Sequence, residues 1–158
     1  MATRATTHIK RRLYQIAIRA TESFAVPADA SAWTTLLATF TEVGYVRRGS
    51  IDGSQEKGDV EELDDASELT LGFNQTVSFV ALQTGASEIT EFEGYQGDAV
   101  DVLFYNTDAQ RAICYKNCVC NVFDVIKGGE TDAFQFELTK KNAAAITDLR
   151  THFDIPQA

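Results

Sequence analysis

Three cysteines within seven positions are the side chains of this sequence that most resemble a metal or redox site. Cys114, Cys118 and Cys120 are odd in number, which predicts no disulfide framework. Zinc requires four ligands, and the two histidines, His8 and His152, lie near opposite ends of the chain without the paired spacing of zinc-finger ligands. We therefore expect free thiols buried in strands, a reducing compartment, and no metal or other cofactor.

Carboxylates are the second group that could do chemistry, and they concentrate between Gly49 and Gly72. The acids of this segment are Asp52, Glu56, Asp59, Glu61, Glu62, Asp64, Asp65 and Glu68. An EF-hand counted from Asp52 needs glycine at its sixth position and glutamate at its twelfth, where Lys57 and Leu63 stand. A less regular calcium site is an alternative, and adjacent carboxylates in an exposed segment are more often solvated than catalytic.

The common catalytic patterns are missing from the sequence. Nucleophilic catalysis needs a base beside the nucleophile, but His8 and His152 fall in segments predicted to be surface and terminus, and no G-x-S-x-G elbow is present. The glycines between residues 44 and 58 are scattered, and no phosphate-binding lysine pattern follows them. We expect no catalytic residues, so the protein is predicted not to be an enzyme.

Length and charge exclude several classes of partner. The 158 residues predict a single domain, 1–158, and a net charge of -9 repels nucleic acids and anionic membranes. No apolar run approaches the roughly 18 to 20 residues of a membrane helix, and no signal-peptide core follows the N-terminus. We expect a chain that is made and folded in a cytoplasm. The first 20 residues resemble an organellar transit peptide in composition, but their alternation is better explained as a strand.

Hydrophobic periodicity predicts a mainly β chain with one to three short helices. Residues 10–20 alternate as a half-buried strand, within an N-terminal arm, 1–20, whose outer face is basic. Residues 31–41 predict an amphipathic helix with Asp29 or Ser31 as N-cap, although their threonines also fit a strand. Further short helices are predicted over residues 87–95 and 142–153.

The remaining segments predict an antiparallel sheet. Strands are predicted over 44–48, 68–73 and 75–82, followed by a meander of 98–105, 111–115, 118–126 and 131–140, with turns at 106–108, 116–117 and 128–129. Residues 49–72 are too long for a hairpin turn, so we expect a long loop that either floats or lies on a partner. The predicted fold is an antiparallel β-sandwich or barrel with one to three short helices and a long acidic inter-subunit loop.

Three stretches carry a resemblance to a known family. They are GSIDGSQEKGDVEELDDASELTLG followed by FNQTVSFVAL, then GDAVDVLFYNTDAQRAICYKNCVCNV, and then GGETDAFQFELT, in roughly residues 44–140. In order and composition they resemble the tail tube (major tail) proteins of tailed bacteriophages. The resemblance implies a β-sandwich or barrel in hexameric rings, stacked into a tube through which DNA passes, with a long loop reaching between subunits or rings. The helices at 31–41 and 142–153 and the short C-terminal tail depart from it, which leaves open a neck, terminator or baseplate relative.

The resemblance also implies partners and site residues. It implies a structural virion protein of the tail, synthesised in the host cytoplasm, whose partners are further copies of the chain and other tail proteins, namely tape measure, terminator, baseplate or sheath. DNA would pass without specific binding. The residues expected at inter-subunit contacts are Asp52, Glu56, Asp59, Glu61, Glu62, Asp64 and Asp65 of the loop and Lys10, Arg11, Arg12 and Arg19 of the arm; those expected to face the lumen are Glu91, Glu93, Asp98 and Asp101.

Two other functions fit the same sequence. Ten phenylalanines and a single tryptophan suit a small β-barrel that binds an apolar ligand, which predicts a monomer with an internal cavity. A tube subunit of a bacterial contractile secretion system would share the tail tube's architecture and differ in its cargo. The symmetry of the oligomer distinguishes the ligand-binding barrel from both kinds of tube.

Overall fold

A computed structural model describes residues 14–44, 46–47, 49–58, 60–70, 72–83, 86–126, 128 and 132–157. The elements within these ranges are β1 Gln15–Ala20, α1 Ala30–Ala38, β2 Thr41–Val43, β3 Asp52–Lys57, β4 Val60–Glu62, β5 Glu68–Thr70, β6 Phe73–Leu82, α2 Ala86–Glu93, β7 Ala99–Asn106, β8 Arg111–Val125, β9 Ala133–Ala143, α3 Ile146–Leu149 and β10 Arg150–Asp154. The prediction of a mainly β fold with short helices is confirmed.

Eight of these strands form one antiparallel sheet. Its order is β2-β1-β7-β8-β9-β6-β3, and β10 pairs with β8 outside this path. The predicted meander is present as β7, β8 and β9. Of the strand predicted over 44–48, the structure describes residues 44, 46 and 47, and among these Val46 forms an isolated antiparallel bridge with Ala81.

The sheet curls around a core of aromatic rings. Two strands separate β6 from β7, so in a flat sheet their side chains would lie about 14 Å apart. Instead the ring centroids of Phe79 and Phe104 are 6.0 Å apart. Phe79 also stacks on Phe136 at 4.8 Å, and Phe92 of α2 meets Phe136 edge-on at 5.6 Å. The helix α2, which was predicted over 87–95, therefore covers the concave side of the sheet.

A second core lies on the opposite face of β1, β7 and the first half of β8. Trp33 of α1 packs against Tyr105 at 5.7 Å and against Phe153 at 6.0 Å between ring centroids. The helix begins as predicted, because the Asp29 carboxylate accepts a hydrogen bond from the Ala32 N–H at 2.8 Å. With a core on each face, β1 is buried on both sides rather than half-buried as predicted.

The C-terminal helix predicted over 142–153 is mostly wrong. Strand β9 continues to Ala143, only residues 146–149 are helical, and residues 150–154 form β10. The physical reason is that β9 pairs with β8 only from Val119 onwards, which leaves the edge of β8 open at residues 111–115. Strand β10 pairs with that edge, and Phe153 and Ile155 are buried in the second core. Non-local pairing thus prevails over a weak local helical preference.

The turn predicted at Lys116-Asn117 is also wrong, because β8 continues through it. The register between β7 and β8 shifts between Val100 and Val102, and Asn117 adopts φ +52°, so these residues form a β-bulge. The bulge reverses which side chains face each core. Cys114 lies in the second core before it, and Cys118 and Cys120 lie in the first core after it.

A buried carboxylate holds the bulge. Asp101 is 1% exposed and accepts hydrogen bonds from the Asn117 N–H at 2.9 Å, the Thr21 hydroxyl at 2.9 Å and Arg19 Nε at 3.1 Å. The buried Arg19 guanidinium also donates to the Thr39 hydroxyl at 2.7 Å and lies 4.4 Å from the centre of the Phe40 ring. The arm contact predicted for Arg19 and the lumen position predicted for Asp101 therefore do not hold, since both side chains are paired in the interior.

We predict that Asp101→Asn will lower the free energy of unfolding by about 3 kcal/mol, because it leaves a buried guanidinium without its counter-charge. Urea denaturation followed by circular dichroism measures the change. Glu22→Gln is the matched control. The exposed Glu22 carboxylate accepts from the same guanidinium at 2.8 Å, so its loss should cost less than about 1 kcal/mol. Equal effects of the two substitutions would contradict the structural role given to Asp101.

Candidate inter-subunit surface

The segment predicted as a long loop, 49–72, is a two-stranded β-ribbon instead. Strands β3 and β6 pair from Asp52–Ser78 to Lys57–Phe73, and β4 and β5 continue the same register from Val60–Thr70 to Glu62–Glu68. The Gly58 N–H donates to the Gly72 carbonyl at 2.6 Å between the two ladders. The inner half belongs to the main sheet, and the outer half, residues 60–70, is named here the acidic ribbon.

Paired glycines mark the point where the ribbon leaves the sheet. A Cβ on Gly72 would lie 2.9 Å from Asn142 Cα, and one on Gly58 would lie 3.0 Å from the Gly72 carbonyl oxygen. Any side chain at Gly72 would thus collide with the backbone at the end of β9. From Gly58 to the tip at Leu63 the ribbon rises about 17 Å, at about 3.3 Å per residue.

The tip is a three-residue turn built from local polar groups. Ala66 N–H donates to the Leu63 carbonyl at 2.9 Å, Leu63 N–H donates to the Ser67 carbonyl at 2.8 Å, and Ala66 adopts φ +64°. The Asp65 carboxylate accepts from the Ser67 hydroxyl and, at 3.0 Å, from the Ser67 N–H, and these bonds lower the pKa of Asp65. The turn signal Asp64-Asp65-Ala66-Ser67, midway between Gly58 and Gly72, could have revealed the ribbon in the sequence.

The acidic ribbon exposes apolar side chains in a definite pattern. Directly paired residues share a face, so Glu61 and Leu69 lie on one face with Leu63, while Val60 and Glu62 lie on the other. Leu63 is 42% exposed and Leu69 is 47% exposed. Two leucines on one face of an isolated pair of strands are an apolar surface that water disfavours. We call Leu63, Leu69 and Glu61 the leucine face.

The other predicted site residues fall in different places. Asp52 and Glu56 are exposed on β3, and Glu61, Glu62, Asp64 and Asp65 are exposed on the acidic ribbon. Glu91, Glu93 and Asp98 are exposed at the end of α2 and before β7, and the Glu91 carboxylate accepts from the Thr41 hydroxyl at 2.9 Å. Asp59, Lys10, Arg11 and Arg12 lie outside the described residues, so their contacts stay predictions.

Arg150 of β10 anchors the base of the ribbon, a contact that the sequence analysis missed. Its guanidinium donates to the side-chain oxygen of Gln75 at 2.9 Å and to that of Gln55, while the amide of the buried Gln75 donates to the Ser54 carbonyl at 2.6 Å. Arg150 Nε also donates to His152 Nε2 at 3.1 Å. Burial and the nearby Arg150 charge lower the pKa of His152, so neutral imidazole remains the acceptor.

The three cysteines are buried free thiols, as predicted. Burial raises the pKa of Cys114 and of Cys120 to about 12, and that of Cys118 to about 11. Because these folded-state values exceed the ordinary value of 9.0, the stability contribution of each thiol is complete below about pH 9 and is lost as the pH rises towards 11 or 12. At neutral pH the thiols act as core side chains.

Within the described ranges, no group of three or more His, Cys, Asp or Glu side chains is arranged to hold a metal ion. The described helices include none that is long and apolar enough to cross a membrane. A cavity of about 30 Å³ lies between the start of β1 and β3, lined by Tyr14, Ile51, Asp52, Gly53, Val77, Phe104, Ile113 and Tyr115. This volume is about the space of one water molecule.

Comparison with known proteins finds twelve similar chains among the solved structures. No protein-family model matches the chain, and no curated protein matches it. The chain is similar to one in the tail of an empty GTA particle, computed with helical refinement and C6 symmetry, with a TM-score of 0.49 and 12% sequence identity. The alignment covers 86% of this chain and 96% of the other. Because the TM-score is below 0.5, the proposals that follow rest on the contacts of this chain.

We predict that Gly72→Ala will lower the free energy of unfolding by about 1 to 3 kcal/mol, because the added methyl group overlaps the backbone of Asn142. Thermal and urea denaturation measure this loss. Gly128→Ala is the control, since a Cβ at that position would meet nothing within 4 Å. If both substitutions leave stability unchanged, the close contact between Gly72 and Asn142 of β9 is contradicted.

A second prediction concerns the thiols. At pH 8 the native protein should react with a thiol-specific disulfide reagent at least about 100-fold more slowly than the unfolded protein, because burial both shields the thiols and suppresses the thiolate. Absorbance of the released reagent gives the rate, and three equivalents should react in denaturant. Rapid reaction of any thiol in the folded protein would contradict its buried position.

Proposed function

We propose that the protein is a structural subunit without catalytic activity that assembles with further copies of itself into rings, six-fold in symmetry. We propose further that these rings stack into the tail tube of a bacteriophage or phage-like particle, through which DNA passes. The chain would then be synthesised in the host cytoplasm and reside in the tail of the virion. Its other partners would be tail proteins that cap or surround the tube: tape measure, terminator, baseplate or sheath.

The observation that carries the proposal is the acidic ribbon. Among the strands of the described residues, β4 and β5 pair only with each other, and the leucine face is exposed. Fully burying a leucine side chain stabilises by about 1.5 to 3 kcal/mol, and Leu63 and Leu69 are 42% and 47% exposed, so a neighbour that covers them gains part of that free energy. The same projection is favourable for a subunit whose neighbour covers it.

The ends of the sheet support a ring. Strands β2 and β3 are the two terminal strands of the eight-stranded sheet, so each has an edge that no strand of the described sheet occupies. Unpaired edges are templates for pairing with another chain. Two different edges on one subunit suit head-to-tail contacts, which close into a ring when the rotation between subunits permits.

Charge supports passage of DNA without binding. The net charge of -9 gives phosphate groups no general attraction to the surface, so a polymer could slide through an assembly of these subunits. We propose Glu91, Glu93 and Asp98, which are all exposed, as lumen residues, and we withdraw Asp101 because it is buried.

The N-terminal arm supplies a complementary charge. Four of the chain's fourteen cations, Arg4, Lys10, Arg11 and Arg12, lie within the first twelve residues, and no acid precedes Glu22. We propose that Lys10, Arg11 and Arg12 contact the carboxylates of a neighbouring subunit's acidic ribbon.

A ligand-binding barrel fits the structure less well. The interior of the curled sheet is filled by stacked rings, and the cavity between β1 and β3 holds only about 30 Å³. Sites for small molecules usually measure about 300 to 1,000 Å³. A tube subunit of a bacterial contractile secretion system shares the proposed architecture, and it would be distinguished by a protein cargo in place of DNA.

The test is the assembly of the purified full-length chain, followed by sedimentation velocity and negative-stain electron microscopy. We expect rings or stacked tubes. In the double variant Leu63→Ser/Leu69→Ser, the protein concentration at which half of the chains are assembled should rise about tenfold or more, which corresponds to at least about 1.4 kcal/mol. The circular dichroism spectrum should be unchanged. Val60→Ser is the matched control, because Val60 is exposed on the opposite face of the same ribbon.

A wild-type chain that stays monomeric at about millimolar concentration, well above the dissociation constants of specific assemblies, would overturn the proposed function. If the leucine and valine variants weaken assembly equally, the chain still self-assembles, but the proposal that the leucine face lies in the interface is wrong.

A further inference from the structure

The outer face of the sheet is covered unevenly. Helix α1 and residues 153–155 pack over β1, β7 and the first half of β8, forming the second core. The second half of β8 lies beyond the bulge, and its odd-numbered residues point away from the first core. Val119 is 46% exposed and Phe123 is 48% exposed on this outer face. We call these two residues the β8 strip.

The surroundings of the β8 strip are polar and carry positive charge at one end. Across the strand pair, Thr139 lies opposite Val119 and Gln135 lies opposite Phe123. Lys141, two residues beyond Thr139, is exposed, and Lys116, three residues before Val119, is half-buried. Glu137 lies opposite Asn121 in the middle of the strip. The cationic end is therefore the Val119 end.

The leucine face and the β8 strip are complementary. Each has two large exposed apolar side chains on one face of a strand pair. The leucine face also has a carboxylate, Glu61, and the Val119 end of the strip has two cations, Lys116 and Lys141. Apolar contact would supply most of the affinity, and opposite charges at one end would set the orientation.

We propose that the leucine face of one copy docks on the β8 strip of a second copy, with Glu61 near Lys141. This inference rests on the proposed self-assembly and names the surface that receives the ribbon. Because ribbon and strip are different surfaces of one chain, the contact is heterologous and each subunit both gives and receives a ribbon. Such a contact propagates around a ring or along a stack, whereas a two-fold contact would end at a dimer.

The test uses the full-length chain and the concentration for half-assembly by sedimentation velocity. Val119→Ser/Phe123→Ser should raise this concentration about tenfold or more, as the leucine variant does. Val26→Ser is its control, since Val26 is an exposed valine in the segment before α1 and is not part of the strip. Circular dichroism melting establishes that each variant is folded.

Charge exchange tests the orientation. Glu61→Lys and Lys141→Glu should each weaken assembly, and the double variant should recover at least about half of the combined loss, as expected for opposite charges in contact. Glu62→Lys, on the opposite face of the ribbon, should not be rescued by Lys141→Glu.

Three outcomes distinguish the claims. A wild-type chain that never assembles overturns the proposed function and this docking together. Assembly that Val119→Ser/Phe123→Ser leaves unchanged, while Leu63→Ser/Leu69→Ser weakens it, overturns the docking surface and keeps the proposed function. Loss of assembly in both double variants, with rescue in the charge exchange, supports the docking as stated.

Discussion

The buried pair of Asp101 and Arg19 is the interaction on which the rest of the structure depends. The Asp101 carboxylate accepts from Arg19 Nε, the Thr21 hydroxyl and the Asn117 N–H, and so joins β1, β7 and the bulge of β8. Burying two charges is expensive, and the surrounding hydrogen bonds are what make the burial tolerable. The bulge that this pair holds decides which side chains of β8 face each core.

The bulge also determines which surfaces remain for other molecules. Before it, the outer face of β8 contributes Ala112 and Cys114 to the second core, beneath the α1 side of the sheet. After it, the outer face carries Val119 and Phe123, which are half exposed. At the β3 edge of the sheet, Gly58 and Gly72 mark the start of the acidic ribbon, which has its own exposed leucines. The chain therefore presents two separate apolar surfaces, which is the property expected of a subunit that assembles head to tail.

How much the sequence revealed depends on how local each signal is. The N-cap of α1 and the turn at Asn106, whose side chain accepts from the Asp108 and Ala109 N–H groups, were predicted because a few adjacent residues decide them. The meander β7-β8-β9 was predicted because its strands alternate or are continuously apolar. Strand β10 was missed, since only the open edge of β8 makes residues 150–154 extended.

The sequence indicated residues 49–72 as a candidate inter-subunit segment, but it did not predict that they form a paired β-ribbon. Residues 49–72 are rich in carboxylates, which predicts exposure, but the apolar residues of the acidic ribbon do not alternate because neither core covers Val60, Leu63 and Leu69. The β3–β6 pair and the β4–β5 pair have the same register. This pairing joins residues that are distant in the sequence, so it is seen only when all four strands are placed in the structure. The burial of Arg19 and Asp101 was missed for the same reason, because they are 82 residues apart in the chain.

The measurement that tests the account most directly is a density map of the assembled wild-type protein, from electron cryomicroscopy, at a resolution that separates strands. The account predicts that residues 60–70 of each subunit lie on the surface of a second copy, with Leu63 and Leu69 covered. A map in which the ribbon packs on its own sheet, or in which neighbouring subunits meet without it, would contradict the central claim.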